Sequence, residues 1–378
     1  MGCGIQMDNQ VKPESLLQKR IASIDALRGF DMFWITGGEG IIHALHRVVP
    51  GPTTEALSLQ FQHVPWAGFH FYDLIFPLFL FVVGAVLPFS LTKRLEAGAN
   101  RTQLYRHIFR RLVILFLLGL VYNGLLDFNF HQLRIAGVLQ RIALCYFFAA
   151  LIVMNTRVRG QAAIAGGILV VYWLVMALVP VPGFGANVLT PEGNLASFID
   201  RHLLPHPYCC FAFGDNEGIL STLPAIATTL MGVLAGHWLR SRYSPTRKTL
   251  GLVLAGIASL LLGFAWGLFF PIIKNLWTSS YVLVAGGWSL LLLALFYWII
   301  DARGYKRWSF FFTVIGVNAI TIYLVNHLFD FGTITNIFVH GFINDFGALK
   351  PLFWAFSVMM TGWLFLYFLY RQKIFLKV

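Results

Sequence analysis

The chain contains 378 residues, of which 58% are hydrophobic and 12% are charged, and its formal net charge is +12. Soluble globular proteins carry about 25% charged residues, so this composition excludes an ordinary soluble domain. A strong positive charge in a soluble protein would suggest a nucleic-acid partner, but here the cations fall between apolar segments and orient the spans. We therefore expect an all-α, polytopic integral membrane protein in a lipid bilayer, with no nucleic-acid partner.

Apolar segments long enough to cross the roughly 30 Å hydrocarbon core of a bilayer recur along the whole chain. We expect residues 1–20 to form a cytoplasmic tail and residues 21–378 to form a single transmembrane domain. Most of the 28 Lys and Arg residues fall on the side of this tail, so the positive-inside rule predicts that both termini are cytoplasmic. The segments predict about ten transmembrane helices, at 24–46, 71–91, 108–126, 134–155, 162–180, 217–239, 249–270, 277–300, 309–328 and 351–370.

The first segment is the most polar of these spans, because it contains Asp25, Arg28, Asp31 and Glu39. Charged side chains inside a membrane are costly unless they face the protein interior or a water-filled cavity. We therefore expect this helix to lie beside a cavity.

The longest loop, 181–216, is predicted to be extracytoplasmic and is rich in proline and glycine. We expect it to act as a lid or as a surface that binds an acceptor. His202 and His206 lie near two cysteines, but Pro205 and Pro207 break the helix that would bring both histidines to one face. Because structural zinc sites need a defined ligand spacing, no metal site is predicted. The segment 332–343 is too short to cross and is predicted to be re-entrant or interfacial.

His63 and Asp73 flank the start of the second predicted span. His63 lies in a turn-rich segment, and Asp73 falls near the start of the apolar run 71–91. In the first turn of a helix a carboxylate is stabilised by about 0.3–1 kcal/mol, so Asp73 can serve simply as a structural cap. It can also orient a histidine, and the residues alone leave both roles open.

Arg141 is a cation inside the predicted span 134–155. An arginine at mid-bilayer costs about 2.5–3.5 kcal/mol on insertion scales, so it needs a partner. We expect that partner to be Asp73, which belongs to the same outer half of the membrane. A buried ion pair that braces two helices and a role in facing a ligand are equally open.

Polar residues are distributed unequally between the two predicted halves of the bundle. The inner side presents Arg28 together with the basic segment from Lys93 to Arg111. This arrangement suits a protein that meets an anionic donor on one side and an uncharged acceptor on the other. The outer half and its loops contain His63, Asp73, Arg141, Glu217, Asn275, Trp277 and His327, with Asn318 nearer the middle.

An ordered series of motifs runs through almost the whole chain. Its segments are RIASIDALRGFDMF (20–33), His63 with Trp-Ala-Gly (66–68), YDLIFPLFLFVVG (72–84), RIAGVLQRIALCYF (134–147), VPVPG (179–183), FIDRHLL (198–204), NEGILST (216–222), KNLWTSSYV (274–282), GVNAITIYLVNHLF (316–329) and YRQKIFLKV (370–378). The set covers roughly residues 20–378, which makes it more specific than any single motif. This series resembles the heparan-α-glucosaminide N-acetyltransferase family, including its bacterial relatives.

The resemblance implies transfer of an acetyl group from cytosolic acetyl-CoA, through the membrane protein, to a glucosamine amine on the far side. The essential histidine of the family lies in the loop before the D-L-x-F-P span, which is His63 here. The long lumenal domain of the animal enzyme has no counterpart in this sequence, which favours the cytoplasmic (inner) membrane of a bacterium over a lysosome. Acetyl-CoA and an extracytoplasmic amino sugar or glycan are the expected substrates, and a homodimer is a candidate assembly.

Further site residues are expected by motif membership, which implies no individual role. Because CoA carries phosphates, the cations Arg28, Arg110 and Arg111 are expected donor contacts, although positive-inside charge explains them nearly as well. Besides the catalytic pair His63 and Asp73, the expected binding residues are Gln140, Arg141, Glu217, Asn275, Trp277, Asn318 and His327.

The residue types agree with acyl transfer independently. An amine or hydroxyl acceptor must lose a proton to attack a thioester, and an imidazole with a near-neutral pKa suits that task. His63 can alternatively take the acetyl group itself and pass it on, and the sequence does not separate these two routes. A transporter or flippase for a small polar solute or a glycolipid is the alternative function, since polar residues in spans also describe a substrate pathway. A binding protein with an inactive site is a third alternative.

Overall fold

The computed structural model describes residues 21–376, so the predicted tail 1–20 lies outside the described residues. The first half of this part contains the helices α1 (Ala22–Phe33), α2 (Glu39–Val48), α3 (Pro52–Gln60), α4 (Ile75–Leu87), α5 (Lys93–Glu96), α6 (Arg101–Tyr122), α7 (Val138–Asn155) and α8 (Val158–Leu178). The second half contains α9 (Leu195–Leu203), α10 (Thr222–Arg240), α11 (Pro245–Gly267), α12 (Ser279–Phe296), α13 (Phe310–Val317), α14 (Ala319–Leu328), α15 (Phe331–Val339) and α16 (Lys350–Arg371).

Short π-helical and 3₁₀ segments join or extend several of these helices. A π-helical turn at Trp34–Gly38 joins α1 to α2, and another at Pro88–Thr92 joins α4 to α5. The 3₁₀ turn Phe71–Leu74 leads into α4. The only strands in the described part are Cys210–Phe211 and Gly214–Asp215, which pair antiparallel as a minimal hairpin in the loop 181–216.

The helical, multi-pass architecture predicted from the sequence is confirmed. Within the described residues, seven helices are long and apolar enough to cross a membrane, or eight if a bent pair forms one span. The predicted count of ten is therefore not confirmed. The predicted spans 24–46 and 108–126 do fall in helices, but charged side chains interrupt their apolar surfaces. The sides of the termini stay a prediction.

The predicted span 309–328 corresponds to a bent pair of helices, which can form one broken span or a re-entrant loop. Helices α13 and α14 meet at an angle of 71°, because Asn318 has φ −119° and ψ 27° and leaves the helical conformation. The break falls two residues after Gly316, and the apolar run alone did not predict it. The segment predicted to be re-entrant, 332–343, contains the short helix α15.

Two glycines allow the helix that follows the Asp73 turn to pack directly against α10. A Cβ atom at Gly84 would lie 1.9 Å from the carbonyl oxygen of Thr229, and one at Gly232 would lie 1.9 Å from that of Phe81. Small residues are typical of helix pairs whose backbones touch inside a membrane. Gly232 and Gly236 of α10 both lie against the backbone of α4, which fixes α4 firmly within the bundle.

Two loops from distant parts of the sequence are tied together at the end of this bundle. The Gly68 amide donates to the Ile272 carbonyl oxygen at 2.9 Å, and Ala67 forms an isolated β-bridge with Ile273. Trp277 closes the second loop with φ +52°, a conformation that is uncommon for a residue other than glycine. The loop that carries His63 is thereby fixed against the loop 271–278.

Candidate active site

His63 and Asp73 form a hydrogen-bonded pair. Nδ1 of His63 lies 2.8 Å from Oδ1 of Asp73, and the imidazole is half-exposed whereas the carboxylate is fully buried. The other oxygen of Asp73 accepts hydrogen bonds from the backbone amides of His70, at 3.0 Å, and Val64, at 3.4 Å. The sequence left two roles open for Asp73, and the carboxylate makes the contacts of both. It caps the turn Phe71–Leu74 and it contacts a histidine.

This pairing constrains the chemistry of the imidazole. When Nδ1–H donates to a carboxylate, the neutral ring keeps its lone pair on Nε2. The Tyr281 hydroxyl donates to the Asp73 carbonyl oxygen at 2.7 Å, which fixes the backbone beneath the pair. His63 also packs against the ring of Tyr72, with 4.8 Å between the ring centroids. The arrangement suits a histidine that accepts a proton, or attacks a carbonyl carbon, through Nε2.

Lys274 is a third member of this cluster, and the sequence analysis did not select it. Its Nζ atom lies 2.9 Å from each ring nitrogen of His63 and 3.6 Å from Oδ1 of Asp73. Burial lowers the pKa of Lys274, while the carboxylates of Asp73 and Glu217 act in the opposite direction. The signal that could have found Lys274 was its position in the motif KNLWTSSYV, directly before Asn275.

A cavity of about 580 Å³ lies beside this cluster. Its apolar walls include Met32, Phe76, Phe79, Ile142 and Ile320. Ligand sites typically occupy about 300–1,000 Å³ and combine apolar walls with a few polar groups that fix orientation. The polar lining residues include His63, Tyr72, Arg134, Asn216, Glu217, Lys274 and Asn275.

An ion-pair network forms another part of the cavity wall. Nε of Arg134 donates to Asp215 at 2.7 Å, and its Nη2 contacts both Asp215 and Glu217. Although burial acts to lower the pKa of Arg134, the two carboxylates raise it above its usual value. The Asp215 carboxylate also accepts from the backbone amide of Glu217 at 2.8 Å. Glu217 is thus held at the cavity surface by its ion pair with Arg134 and by the hydrogen bond from its backbone amide to Asp215.

The predicted pairing of Arg141 with Asp73 is wrong. Nη2 of Arg141 donates to the Gly218 carbonyl oxygen at 3.1 Å and to the Ser221 hydroxyl at 2.5 Å. Its guanidinium also lies 5.0 Å from the centre of the Trp277 ring. Similar depth along two helices does not determine which way each side chain points, and Arg141 points to the start of α10. Asp73 is instead engaged by His63 and Lys274.

The structure brings part of the remaining predicted set to the cavity. Asn275 lines it directly. Trp277 lies fully buried behind it, donating to the Thr228 hydroxyl at 3.1 Å. His327 is exposed and stacks on Tyr122, with 4.2 Å between ring centroids, and the Tyr122 ring lines the cavity.

Other predicted residues do not line this cavity. Gln140 is buried against Gly119, where a Cβ atom would lie 2.3 Å from its amide oxygen. Asn318 is buried at the bend between α13 and α14, and neither of its side-chain amide atoms has a hydrogen-bond partner among the described residues. Arg28 donates to the Gly316 carbonyl oxygen at 2.6 Å and pairs with Asp25 at 3.0 Å.

The two arginines expected to contact CoA phosphates have different surroundings. Arg111 lies over the ring of Tyr146, at 4.2 Å from its centre, and Arg110 is exposed. Arg111 therefore contributes to the packing of α6 on α7, whereas Arg110 is accessible.

Comparisons with known proteins agree with the motif resemblance. A family described as a domain of unknown function, DUF5009, matches residues 20–124. The human heparan-alpha-glucosaminide N-acetyltransferase is 27% identical over an alignment of 441 positions, which covers 98% of this chain and 62% of that enzyme. The mouse enzyme of the same name is 26% identical, covering 84% of this chain and 56% of the enzyme. The chain is a distant relative of these N-acetyltransferases.

This relation confirms the resemblance seen in the ordered motifs and supports a transmembrane acetyltransferase at the level of the family. The chain spans about three fifths of the length of the curated relatives that it matches.

Proposed function

We propose that this N-acetyltransferase relative transfers an acetyl group from cytosolic acetyl-CoA to an amine or hydroxyl of an extracytoplasmic sugar or glycan, such as a glucosamine unit. The observation that carries the proposal is the hydrogen bond between His63 and the buried Asp73 at the wall of a cavity large enough for a ligand. The relation to N-acetyltransferases over nearly the whole chain supports the same reaction class.

His63 is the proposed catalytic base, and Asp73 orients it. With Nδ1 engaged by Asp73, Nε2 takes the proton from the acceptor as its nitrogen or oxygen attacks the thioester carbonyl. Such general base catalysis contributes about 10²–10⁴-fold to a rate. The same Nε2 can instead attack the thioester and form an acetyl-histidine. Both routes use the same pair of residues, and both remain open.

The polar wall of the cavity suits a sugar acceptor. Glu217 offers a carboxylate that attracts an ammonium group, and Asn275 offers an amide that both donates and accepts hydrogen bonds. Both residues line the same cavity as His63. In this proposal they hold the acceptor so that its amine or hydroxyl faces the imidazole.

The donor is proposed to enter from the cytoplasm. The basic segment of α5 and α6 includes the exposed Arg110, and phosphates bind favourably to arginine. With both termini cytoplasmic, as the positive-inside rule predicts, this segment faces the cytosolic CoA pool. In sealed vesicles of known orientation, acetyl-CoA added to the cytoplasmic face alone should support turnover. Full turnover with donor on the opposite face alone would contradict this sidedness.

Incubation of the purified protein with labelled acetyl-CoA and a panel of amino sugars tests the function. We expect label to appear on at least one acceptor, and we expect this transfer to be lost in His63→Ala. No transfer and no thioester hydrolysis over the whole panel would overturn the proposal.

A transporter or flippase is the second candidate, and the bend of 71° between α13 and α14 favours it. Broken helices in transporters frequently border the substrate site, and Ala319, Ile320 and Tyr323 line the cavity just beyond this break. Uptake of intact solute into proteoliposomes without acetyl transfer would support the transporter.

A further inference from the structure

Lys274 occupies a position that its surroundings fix on three sides. The Ala67–Ile273 bridge joins its loop to the loop of His63. The Trp277 amide donates to the Lys274 carbonyl oxygen at 2.9 Å. The Tyr172 hydroxyl donates to the Leu276 carbonyl oxygen at 2.5 Å. The backbone of Lys274 is therefore held in place, and its side chain reaches the reacting pair and lines the cavity.

The contacts of this ammonium have a consequence for the reaction. Nζ lies 2.9 Å from both ring nitrogens of His63, and a point equidistant from the two nitrogens is not on the axis of the Nε2 lone pair. The lone pair that a base must use therefore stays open to an acceptor, with the ammonium beside it. Since the backbone of Lys274 is held in place, the ammonium stays within a side chain's reach of the acceptor and of the thioester.

We propose that Lys274 is a further catalytic residue, which donates a hydrogen bond from Nζ to the carbonyl oxygen of the acetyl thioester as that oxygen becomes negatively charged. The inference rests on the proposed acetyl transfer and names a role in it for a residue outside the His63–Asp73 pair. A fixed cation aimed at developing charge, in a site sheltered from water, is among the strongest catalytic devices of proteins.

Electrons and protons balance over the proposed step. An amine acceptor forms its bond to the thioester carbon as it gives a proton to Nε2 of His63. The carbonyl electron pair moves to oxygen, where Lys274 stabilises it. Collapse of this oxyanion restores the carbonyl, breaks the carbon–sulfur bond and releases CoA thiolate, which takes the proton from His63. Lys274 returns unchanged.

The charges around Lys274 are consistent with this role. Asp73, at 3.6 Å, favours the ammonium form, while burial lowers the pKa of Lys274. A partly desolvated ammonium interacts more strongly with an oxyanion than one in bulk water, because the local dielectric constant is lower.

The test compares Lys274→Met with Lys274→Arg, which keeps the charge, and with Lys350→Met, which removes an exposed lysine that donates to the Asn344 side chain. Lys274→Met should lower kcat by about 10²–10³-fold, the usual cost of losing an oxyanion donor. Lys274→Arg should recover part of this loss, and Lys350→Met should match the wild type. Donor and acceptor KM should change much less than kcat.

A donor comparison makes the result independent of how much of the protein is folded. Fluorine on the acyl group stabilises the oxyanion intrinsically, so fluoroacetyl-CoA needs Lys274 less than acetyl-CoA does. The ratio of kcat for fluoroacetyl-CoA to kcat for acetyl-CoA should therefore rise about tenfold or more in Lys274→Met, within the loss expected for an oxyanion donor. A structural role lowers both rates equally.

An unchanged ratio, or wild-type turnover in Lys274→Met, would overturn this role while acetyl transfer by the wild type still supports the proposed function. Absence of transfer by the wild type would instead overturn the function itself.

Discussion

Nδ1 of His63 lies 2.8 Å from Oδ1 of Asp73, which joins a half-exposed imidazole to a fully buried carboxylate. The buried partner fixes the ring orientation and the tautomer, and the exposed side of the ring remains available to a substrate. This division of roles within one pair yields two separate predictions.

Substitution of His63 by alanine should lower acetyl transfer by at least about 10²-fold, because the base is lost. The melting temperature and CoA affinity should remain close to wild type, since a half-exposed loop side chain contributes little packing. Turnover, thermal stability and CoA binding should be measured on one preparation. His202→Ala is the matched control, because His202 is exposed in the loop 181–216 and, within residues 21–376, contacts the Phe198 carbonyl oxygen and ring. Retained turnover in His63→Ala would make His327 the next candidate base.

Substitution of Asp73 by asparagine should remove its effect on the His63 ring while it preserves the cap of the turn Phe71–Leu74. The amide oxygen can still accept from the His70 and Val64 backbone amides, so the turn should persist. The amide nitrogen then donates to Nδ1 of His63 and moves the ring proton to Nε2, which removes the base. We expect kcat to fall by about 10²-fold or more, with a smaller change in melting temperature than in Asp73→Ala. Asp127→Asn, at an exposed carboxylate, is the control, and wild-type kcat in Asp73→Asn would contradict the orienting role.

The helices were predictable because an apolar run of sufficient length has few alternatives inside a bilayer. The segment that leads from His63 into the second span was likewise identifiable, since its turn residues and Asp73 are local in sequence. Lys274 was missed because its contact with His63 joins residues 211 positions apart. From the sequence alone, its charge was interpreted only as part of the distribution between the two membrane sides.

The partner of Arg141 was predicted wrongly for a different reason. Residue spacing determines depth along a helix but not the direction in which neighbouring helices face one another. The Gly218 and Ser221 atoms that Arg141 contacts lie at the start of α10, and one of them is a backbone carbonyl. No pattern of residue types predicts a contact with a backbone carbonyl, so this contact could be identified only from the tertiary structure.

A double-mutant cycle should distinguish the observed partner of Arg141 from the predicted one. Arg141→Leu and Ser221→Ala remove two ends of one 2.5 Å contact, so their free energies of unfolding should couple by at least about 0.5 kcal/mol. Arg141→Leu and Asp73→Ala should instead add to within about 0.5 kcal/mol. Reversible unfolding in detergent provides the measurement. Strong coupling in the second cycle would restore the pairing with Asp73.

Asp200 should make the stability of the loop 181–216 depend on pH. Burial raises the pKa of Asp200 to about 6, although it accepts backbone hydrogen bonds from Ile219 and Asp215. The folded protein holds this proton more tightly than the unfolded chain. The contribution of Asp200 to the free energy of unfolding is therefore complete below about pH 4. It is lost as pH rises through 6, by up to about 3 kcal/mol.

Asp200→Asn cannot release this proton, so its melting temperature should fall less than that of the wild type between pH 4.5 and about 7. Asp345→Asn, at an exposed carboxylate, should keep the wild-type slope. Thermal unfolding in detergent across this pH range makes the comparison. Parallel curves for Asp200→Asn and the wild type would contradict the raised pKa.

Neutralising Arg110 should weaken the binding of acetyl-CoA without changing the rate of acetyl transfer. Arg110 is exposed on the basic part of α6, whereas Arg111 packs over Tyr146 at 4.2 Å, so Arg110→Gln removes a charge with the smaller structural effect. We expect the KM for acetyl-CoA to rise by about three- to tenfold, in keeping with one lost charge-assisted contact, while kcat and acceptor KM stay unchanged. Arg159→Gln, at an exposed arginine in the first turn of α8, is the matched control. Equal donor KM values in both variants would leave Arg110 with a role in membrane orientation alone.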